Sequence, residues 1–102
     1  METFNEVISG DQLVLVDFFA TWCQPCKMMH PILEQLKSQL GHKIRVIKID
    51  VDRNNTTAAR FNIQSVPTLM LFRKGELLWR RSGVTQSSEL LQIINSYKKK
   101  KK

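Results

Sequence analysis

The residues of this chain with the most distinctive chemistry are its only two cysteines, Cys23 and Cys26. They stand between an apolar run at 13–19 and a segment whose apolar residues recur at helical spacing. This order predicts a strand, a turn and a helix, with Cys23 at the helix N-terminus and Cys26 one turn further on the same side. The two sulfur atoms can then form a disulfide or face each other as thiols. The pattern therefore predicts redox chemistry by thiol–disulfide exchange.

The predicted helix start gives the two cysteines different roles. A helix N-terminus has unpaired N–H groups and the positive end of the helix dipole, and both stabilise a thiolate at Cys23. Cys26 is expected to lie one turn deeper and to be better shielded, which suits a thiol that resolves a mixed disulfide. Pro25 fits the first turn, where its missing N–H would have no partner. We therefore expect Cys23 to attack and Cys26 to resolve.

The alternatives for this pair are two inert buried thiols, an ordinary structural disulfide, or a metal site. The position at a helix start, with Trp22 and Pro25 alongside, favours redox activity. His30 lies one turn beyond Cys26 and would give a third metal ligand, but no second Cys-x-x-Cys completes a closed zinc site, so we predict no metal. Lys27 follows Cys26, so the haem-attachment pattern is absent. We interpret His30 as a histidine on the helix surface.

Asp17 is the only charged residue in the apolar run at 13–19. An unpaired charge is costly inside a core, and burial disfavours the charged form of a carboxyl group and raises its pKa. A raised pKa suits a proton acceptor that works near neutral pH. The alternative is a strand-end carboxylate satisfied by hydrogen bonds.

Composition predicts one folded domain over residues 1–97 followed by a basic tail, Lys98–Lys102. The chain has 102 residues and 42% hydrophobic content, enough for a core of its own. Of the formal net charge of +7, the tail supplies five, which leaves +2 for the domain. We predict a solvated, frayed tail and no contact with nucleic acid or membrane. No apolar run reaches the roughly 20 residues of a membrane span, and the acidic N-terminus lacks a secretory signal, so we expect a cytoplasmic protein.

Hydrophobic periodicity and turn residues predict the elements that hold these side chains. Thr3 and Glu6 form a capping box for a short helix that ends at Gly10. The expected strands are Leu13–Phe19, Ile44–Val51, Thr68–Arg73 and Leu77–Arg81. The expected further helices run from about Pro25 to Leu40, from a cap at Asn54 or Asn55 through Phe61, and onward from a cap at Thr85.

The segment from Asp17 to Lys27, Asp-Phe-Phe-Ala-Thr-Trp-Cys-Gln-Pro-Cys-Lys, is followed by Met-Met-His-Pro and resembles the active-site segment of the thioredoxin family. Val66-Pro67-Thr68 resembles the family's cis-proline loop, and Gly83 its late glycine turn. The resemblance covers nearly the whole chain. It implies an α/β thioredoxin fold, a mixed sheet with helices on both faces. Because the chain starts too late for the family's first strand, we expect about four strands, with 44–51 at an open edge. We expect a monomer, with a dimer through that edge as the alternative.

The resemblance also implies a function and a set of site residues. The implied function is that of a protein-disulfide reductase, with the redox-active pair and no bound cofactor. Its substrates would be proteins with disulfides, and an NADPH-dependent thioredoxin reductase would recycle it. Asp17 would lie beneath the disulfide and take the proton of Cys26, with Lys48 near that carboxylate and a cis Pro67 facing the cysteines. The expected substrate-docking surface consists of Trp22, Gln24, Pro25, Val51, Val66, Pro67, Gly83 and Val84.

Gln24 departs from the common reductase motif of the family, which has glycine between the first cysteine and the proline. The residues between the cysteines influence the relative stability of thiolate and disulfide, and hence the reduction potential. A disulfide oxidase or isomerase of the same fold is therefore one alternative. A non-catalytic binding module that responds to the redox state of Cys23 and Cys26 is another.

Overall fold

The computed structural model describes residues 2–99 as a four-stranded sheet with helices on both faces. The elements in chain order are α1 (Phe4–Ile8), β1 (Leu13–Phe19), α2 (Gln24–Leu40), a 3-10 turn (Gly41–Lys43), β2 (Ile44–Asp50), α3 (Asn55–Arg60), β3 (Thr68–Arg73), β4 (Glu76–Ser82) and α4 (Ser87–Lys99). The predicted number and order of strands are confirmed. Within the described residues, no strand precedes α1.

The sheet is mixed, with the strand order β2-β1-β3-β4. β1 pairs parallel with β2 and antiparallel with β3, and β3 pairs antiparallel with β4. β2 is an edge strand, as predicted. The register places Asp17 between Lys48 on β2 and Leu69 on β3. The central strand thus carries a carboxyl group into the interior of the sheet.

The core lies in two layers because β1 is covered on both faces, which explains its nearly continuous apolar sequence. On one face, alternate residues such as Leu13 and Leu15 pack against α2 and α4. On the other face, Val16 and Phe18 pack among the side chains around α1 and α3. The rings of Phe4, Phe18, Phe61 and Phe72 meet there at centroid distances of 5.6 to 6.0 Å. Asp17 points to the α2 face, where the cysteines also lie.

The capping box of α1 is present as predicted. The N–H of Glu6 donates to the hydroxyl oxygen of Thr3 over 3.2 Å, and the N–H of Thr3 donates to the carboxylate of Glu6 over 2.8 Å. The predicted cap at Thr85 is wrong, because α4 begins at Ser87 and Thr85 is buried. Its hydroxyl oxygen has no hydrogen-bond partner among the described residues, since the side chain turns inward.

Other predicted element ends shift by one or two residues. α2 begins at Gln24, and β2 ends at Asp50 because Val51 already lies in the following turn. β4 is longer than predicted, since the polar residues Glu76 and Ser82 still pair with β3. Asn54 precedes α3, but its side chain donates to the carbonyl oxygen of Asp50 and does not cap the helix.

The last helix extends into the predicted basic tail. α4 includes Lys98 and Lys99, the first residues of the predicted tail, and positions 100–102 lie outside the described residues.

None of the helices described combines the length and apolar character of a membrane span. Within positions 2–99, no group of three or more His, Cys, Asp or Glu side chains is arranged to hold a metal ion.

Candidate active site

The turn between β1 and α2 places Cys23 at the N-terminal end of the helix. Cys23 has extended backbone angles, φ −90° and ψ 113°, and is the N-cap residue of α2. Its own N–H donates to the carbonyl oxygen of Ala20 over 3.2 Å. The N–H of Cys26 donates to the sulfur atom of Cys23 over 3.1 Å. A thiolate at Cys23 would therefore receive both a hydrogen bond and the favourable end of the helix dipole.

Cys23 and Cys26 are joined by a disulfide, with their Cα atoms 5.3 Å apart. Both are buried, at 4% and 7% exposed, among Ala20, Val51 and Val66. The two cysteines are buried to a similar extent, so the expected better shielding of Cys26 is not found in this oxidised form. Cys26 lines a cavity beneath the disulfide. The two cysteines thus differ in their positions relative to the helix end and hardly differ in their exposure.

The cavity beneath the disulfide has a volume of about 250 Å³ and is also lined by Asp17, His30 and Lys48. Asp17 is only 1% exposed, and its Oδ1 atom has no hydrogen-bond partner within the described part of the chain. Burial raises the pKa of Asp17 to about 6, and the positive charge of Lys48 lowers it in part. A carboxyl group with this pKa can exchange a proton near neutral pH, and it shares its cavity with Cys26.

Lys48 stands opposite Asp17 on β2, but its ammonium group contacts a different partner. The Nζ atom lies 2.6 Å from Nδ1 of His30, on α2. The other ring nitrogen of His30, Nε2, lies 3.2 Å from a carboxylate oxygen of Glu34. His30 is exposed, as the sequence predicts, but it also lines the cavity.

A second groove, of about 210 Å³, lies beside Trp22 and is lined in part by Val51 and Val66, which pack against the cysteine pair. Trp22 is 70% exposed, and its Nε1–H donates to a carboxylate oxygen of Asp52 over 2.9 Å. The indole ring forms one wall of the groove. The remaining lining residues are Ile63, Gln64 and Ser65. Gln24 and Pro25, in the first turn of α2, are also exposed.

The loop before β3 brings Val66 and Pro67 to the disulfide. The Val66–Pro67 peptide bond is cis, as the resemblance implies. The carbonyl oxygen of Val66 lies 3.6 Å from the sulfur atom of Cys23. The N–H of Gly83 donates to the carbonyl oxygen of Pro67 over 2.8 Å, and Gly83 has φ 99°, a conformation that favours glycine. Val84, also predicted for the docking surface, packs against the α2–α4 core.

Sequence reasoning did not identify several of these neighbours. Asp52 follows the end of β2, and nothing in its sequence context indicated a contact with Trp22. Ile63 and Ser65 enter the groove through an irregular connection. His30, in contrast, had a usable signal, because it lies four residues after Cys26 and therefore on the same side of α2.

A disulfide across the first turn of a helix, above a buried carboxyl group and beside an apolar groove, defines a thiol–disulfide oxidoreductase. The family model for thioredoxin matches residues 1–96. A thioredoxin-like protein of Synechocystis sp. is 50% identical over 95 residues, covering 92% of this chain and 90% of the relative. The thioredoxin of Rickettsia prowazekii is 43% identical over 91 residues, covering 89% and 87%. The chain belongs to the thioredoxin family.

The fold comparison agrees with the sequence comparison. The solved structure of thioredoxin-2, described as a component of malaria parasite protein secretion machinery, superposes with a TM-score of 0.81 at 30% identity. The match covers 83% of this chain and 82% of that chain. The α/β thioredoxin fold and the thiol–disulfide oxidoreductase class that the sequence predicted are therefore confirmed.

Proposed function

We propose that this protein is a reductase of disulfides in other proteins. The observation that carries the proposal is the position of the Cys23 sulfur atom, at a helix N-terminus and 3.6 Å from the Val66 carbonyl oxygen. A substrate disulfide that reaches Cys23 would also meet the backbone of this loop and the apolar groove beside Trp22. The geometry thus suits a peptide segment better than a small thiol compound.

In the first step, the thiolate of reduced Cys23 attacks one sulfur atom of the substrate disulfide. The substrate S–S bond breaks as the mixed disulfide with Cys23 forms, and the released substrate thiolate takes up a proton. The hydrogen bond from the N–H of Cys26 and the helix dipole stabilise the attacking thiolate.

In the second step, Asp17 accepts the proton of Cys26 through the shared cavity. The Cys26 thiolate attacks the sulfur atom of Cys23, and the second substrate thiolate leaves. The protein is then oxidised by two electrons to the disulfide that this structure contains, and the substrate is reduced. We expect Asp17→Asn to slow this resolution step without loss of the fold; unchanged turnover across neutral pH would contradict the role of Asp17.

For substrate docking, we propose that an extended segment lies along Val66 and pairs with its backbone, as a strand adds to a sheet edge. Trp22 would cover the segment from the side. Gln24, Pro25 and Val51 would border the segment near the disulfide, and Gly83 and Val84 would border it beyond Pro67. Trp22 is 70% exposed, so it contributes little to the core. Its indole ring is instead available to bind a substrate segment near the disulfide.

The proposal includes a reductase partner, because each turnover leaves the protein oxidised. A thioredoxin reductase that uses NADPH would return two electrons to Cys23 and Cys26. We propose that the protein acts in the cytoplasm, as a monomer. A dimer through the edge strand β2 is the alternative, and light scattering at high concentration distinguishes the two states.

The experiment that tests the proposal is the equilibrium reduction potential of Cys23 and Cys26, measured by glutathione titration with alkylation and a mass readout. A potential below the cytosolic glutathione poise supports a reductase. A potential well above it would contradict the proposal and favour an oxidase or isomerase. Gln24→Gly is the matched variant, because it changes only the residue that departs from the common reductase motif.

A turnover assay separates the reductase from a binding module that only responds to redox state. We expect NADPH consumption in the presence of a thioredoxin reductase and a disulfide protein such as insulin. Cys23→Ser should abolish this consumption. A wild-type protein that is reduced by the reductase but does not turn over any disulfide substrate would favour the binding module.

A further inference from the structure

Asp17 and Lys48 are direct neighbours in the sheet, yet they form no ion pair. Their Cα positions are partners in the parallel register of β1 and β2, and both side chains line the cavity beneath the disulfide. Among the ion pairs within 4 Å in the described part of the chain, none joins these two residues. An ammonium group that could neutralise the buried carboxyl group is therefore held elsewhere.

The group that holds Lys48 is His30. The Nδ1 atom of His30 lies 2.6 Å from the Lys48 ammonium nitrogen, which can only donate. Nδ1 must then be the acceptor, and the proton of a neutral ring belongs on Nε2. That proton points to Glu34, whose carboxylate oxygen is 3.2 Å from Nε2. Glu34 is one helical turn beyond His30, so the two contacts favour the same orientation of the ring and the same tautomer, with the proton on Nε2.

We propose that His30 is a positioning residue that holds the Lys48 ammonium group at the mouth of the cavity and keeps it from pairing with Asp17. The proposal itself concerns only the position of the Lys48 ammonium group, beside His30 and away from the carboxyl group of Asp17. Its consequence for catalysis rests on the proposed function, in which Asp17 is the base for Cys26.

The consequence follows from the groups that line the cavity together with Asp17. On α2 these groups are Cys26, which is held in the disulfide, Lys27 and His30, and on β2 the group is Lys48. The partner of Asp17 on β3 is the apolar Leu69. An opposite charge in contact with a carboxylate favours the charged form and weakens the carboxylate as a base. Burial raises the pKa of Asp17, and the charge of Lys48 lowers it in part. By holding Lys48 away from the carboxylate, His30 prevents a larger decrease of this pKa.

The test is a titration of the Asp17 carboxyl carbon by NMR in the oxidised protein, which avoids the titration of Cys26. In His30→Ala we expect Lys48 to move toward Asp17 and the pKa of Asp17 to fall by about one unit. In Lys48→Met we expect this pKa to rise. His30→Asn, unlike His30→Ala, should keep the pKa of Asp17 at its wild-type value, because the Asn side chain can place an oxygen acceptor near the position of Nδ1.

The double variant His30→Ala, Lys48→Met shows whether His30 acts through Lys48. We expect its Asp17 pKa to equal that of Lys48→Met alone. An unchanged or higher Asp17 pKa in His30→Ala would overturn the proposal. The same downward shift with Met at position 48 would also overturn it, since His30 would then act without Lys48.

The rate of Cys26 resolution distinguishes this proposal from the proposed function. We expect the pH profile of resolution in His30→Ala to move to lower pH, in the same direction as the Asp17 pKa. If the Asp17 pKa moves and the profile does not, the contact between His30 and Lys48 is supported, and the role of Asp17 as the base is contradicted. If the Asp17 pKa does not move, the present proposal fails whatever the turnover rate.

Discussion

The sulfur atom of Cys23 lies 3.6 Å from the carbonyl oxygen of Val66, although 43 positions separate the two residues in the chain. Because the disulfide sulfur carries no proton, this is a contact and not a hydrogen bond. It joins the helix end that would activate the thiolate to the loop that would bind the substrate backbone. In the proposed function, attack and docking would converge on this sulfur atom.

Cys26→Ser should trap a mixed disulfide between Cys23 and the substrate. The variant retains the attacking cysteine at the N-cap of α2, but no thiol remains to displace the substrate. We expect a covalent complex that survives denaturation and dissociates with a reducing agent, measured by intact mass. Cys23→Ser is the matched control and should form no such complex. A complex that forms equally with Cys23→Ser would mean that Cys26 also attacks the substrate, and would contradict the assignment of that role to Cys23 alone.

Trp22→Ala should lower kcat/KM for protein disulfides and should change the free energy of unfolding only slightly. The indole ring is 70% exposed, so its removal opens little of the core. Tryptophan is enriched among the few interface residues whose truncation costs more than about 1 kcal/mol, and we expect kcat/KM for a protein substrate to fall roughly fivefold or more. A small disulfide that does not reach the groove is the matched control. An equal loss for both substrates would indicate a damaged active site.

Leu36→Ala should destabilise the protein by about 2–5 kcal/mol, because it removes a fully buried side chain between α2 and the sheet. Leu77→Ala is the matched control at a position that is 40% exposed, and we expect a loss below about 1 kcal/mol. Denaturant unfolding of the oxidised proteins measures both. Similar losses for the two variants would contradict the placement of the core.

The sequence predicts most of this fold because its strongest signals are local. The apolar run at 13–19 and the helical stripe after Cys26 each depend on residues close together in the chain. Predictions fail where tertiary packing decides the direction of a polar side chain. Thr85 has the chemistry of a helix cap, but its side chain is buried, and the helix starts two residues later.

For the site too, features within one short segment are predictable from the sequence, and contacts between distant segments are not. The cysteine pair and Asp17 are recognisable from their positions in one short segment. The contact of Trp22 with Asp52 could not be predicted, since it depends on how the turn after β2 approaches the turn after β1. The burial of both cysteines also depends on distant residues. Val51 and Val66 come from distant parts of the chain and pack against the cysteine pair.

Asp17→Asn should stabilise the oxidised protein at neutral pH and much less at pH 4. Burial raises the pKa of Asp17 from 3.8 to about 6, so between these values the folded state binds more protons than the unfolded state. The free energy of unfolding therefore falls as the pH rises from about 4 to about 6. A shift of about two units corresponds to roughly 3 kcal/mol, an upper limit for the cost that asparagine avoids at pH 7.

The measurement is denaturant unfolding of wild type and Asp17→Asn at several pH values, with the disulfide intact in both. We expect the difference in unfolding free energy to grow through the window from pH 4 to 6 and to remain constant above it. Asp11→Asn makes the same chemical change at a side chain that is 92% exposed, and should leave the wild-type pH dependence in place. A difference between wild type and Asp17→Asn that is the same at pH 4 and pH 7 would mean that Asp17 titrates alike in the folded and unfolded chains. Asp17 would then lack the raised pKa that its proposed role requires.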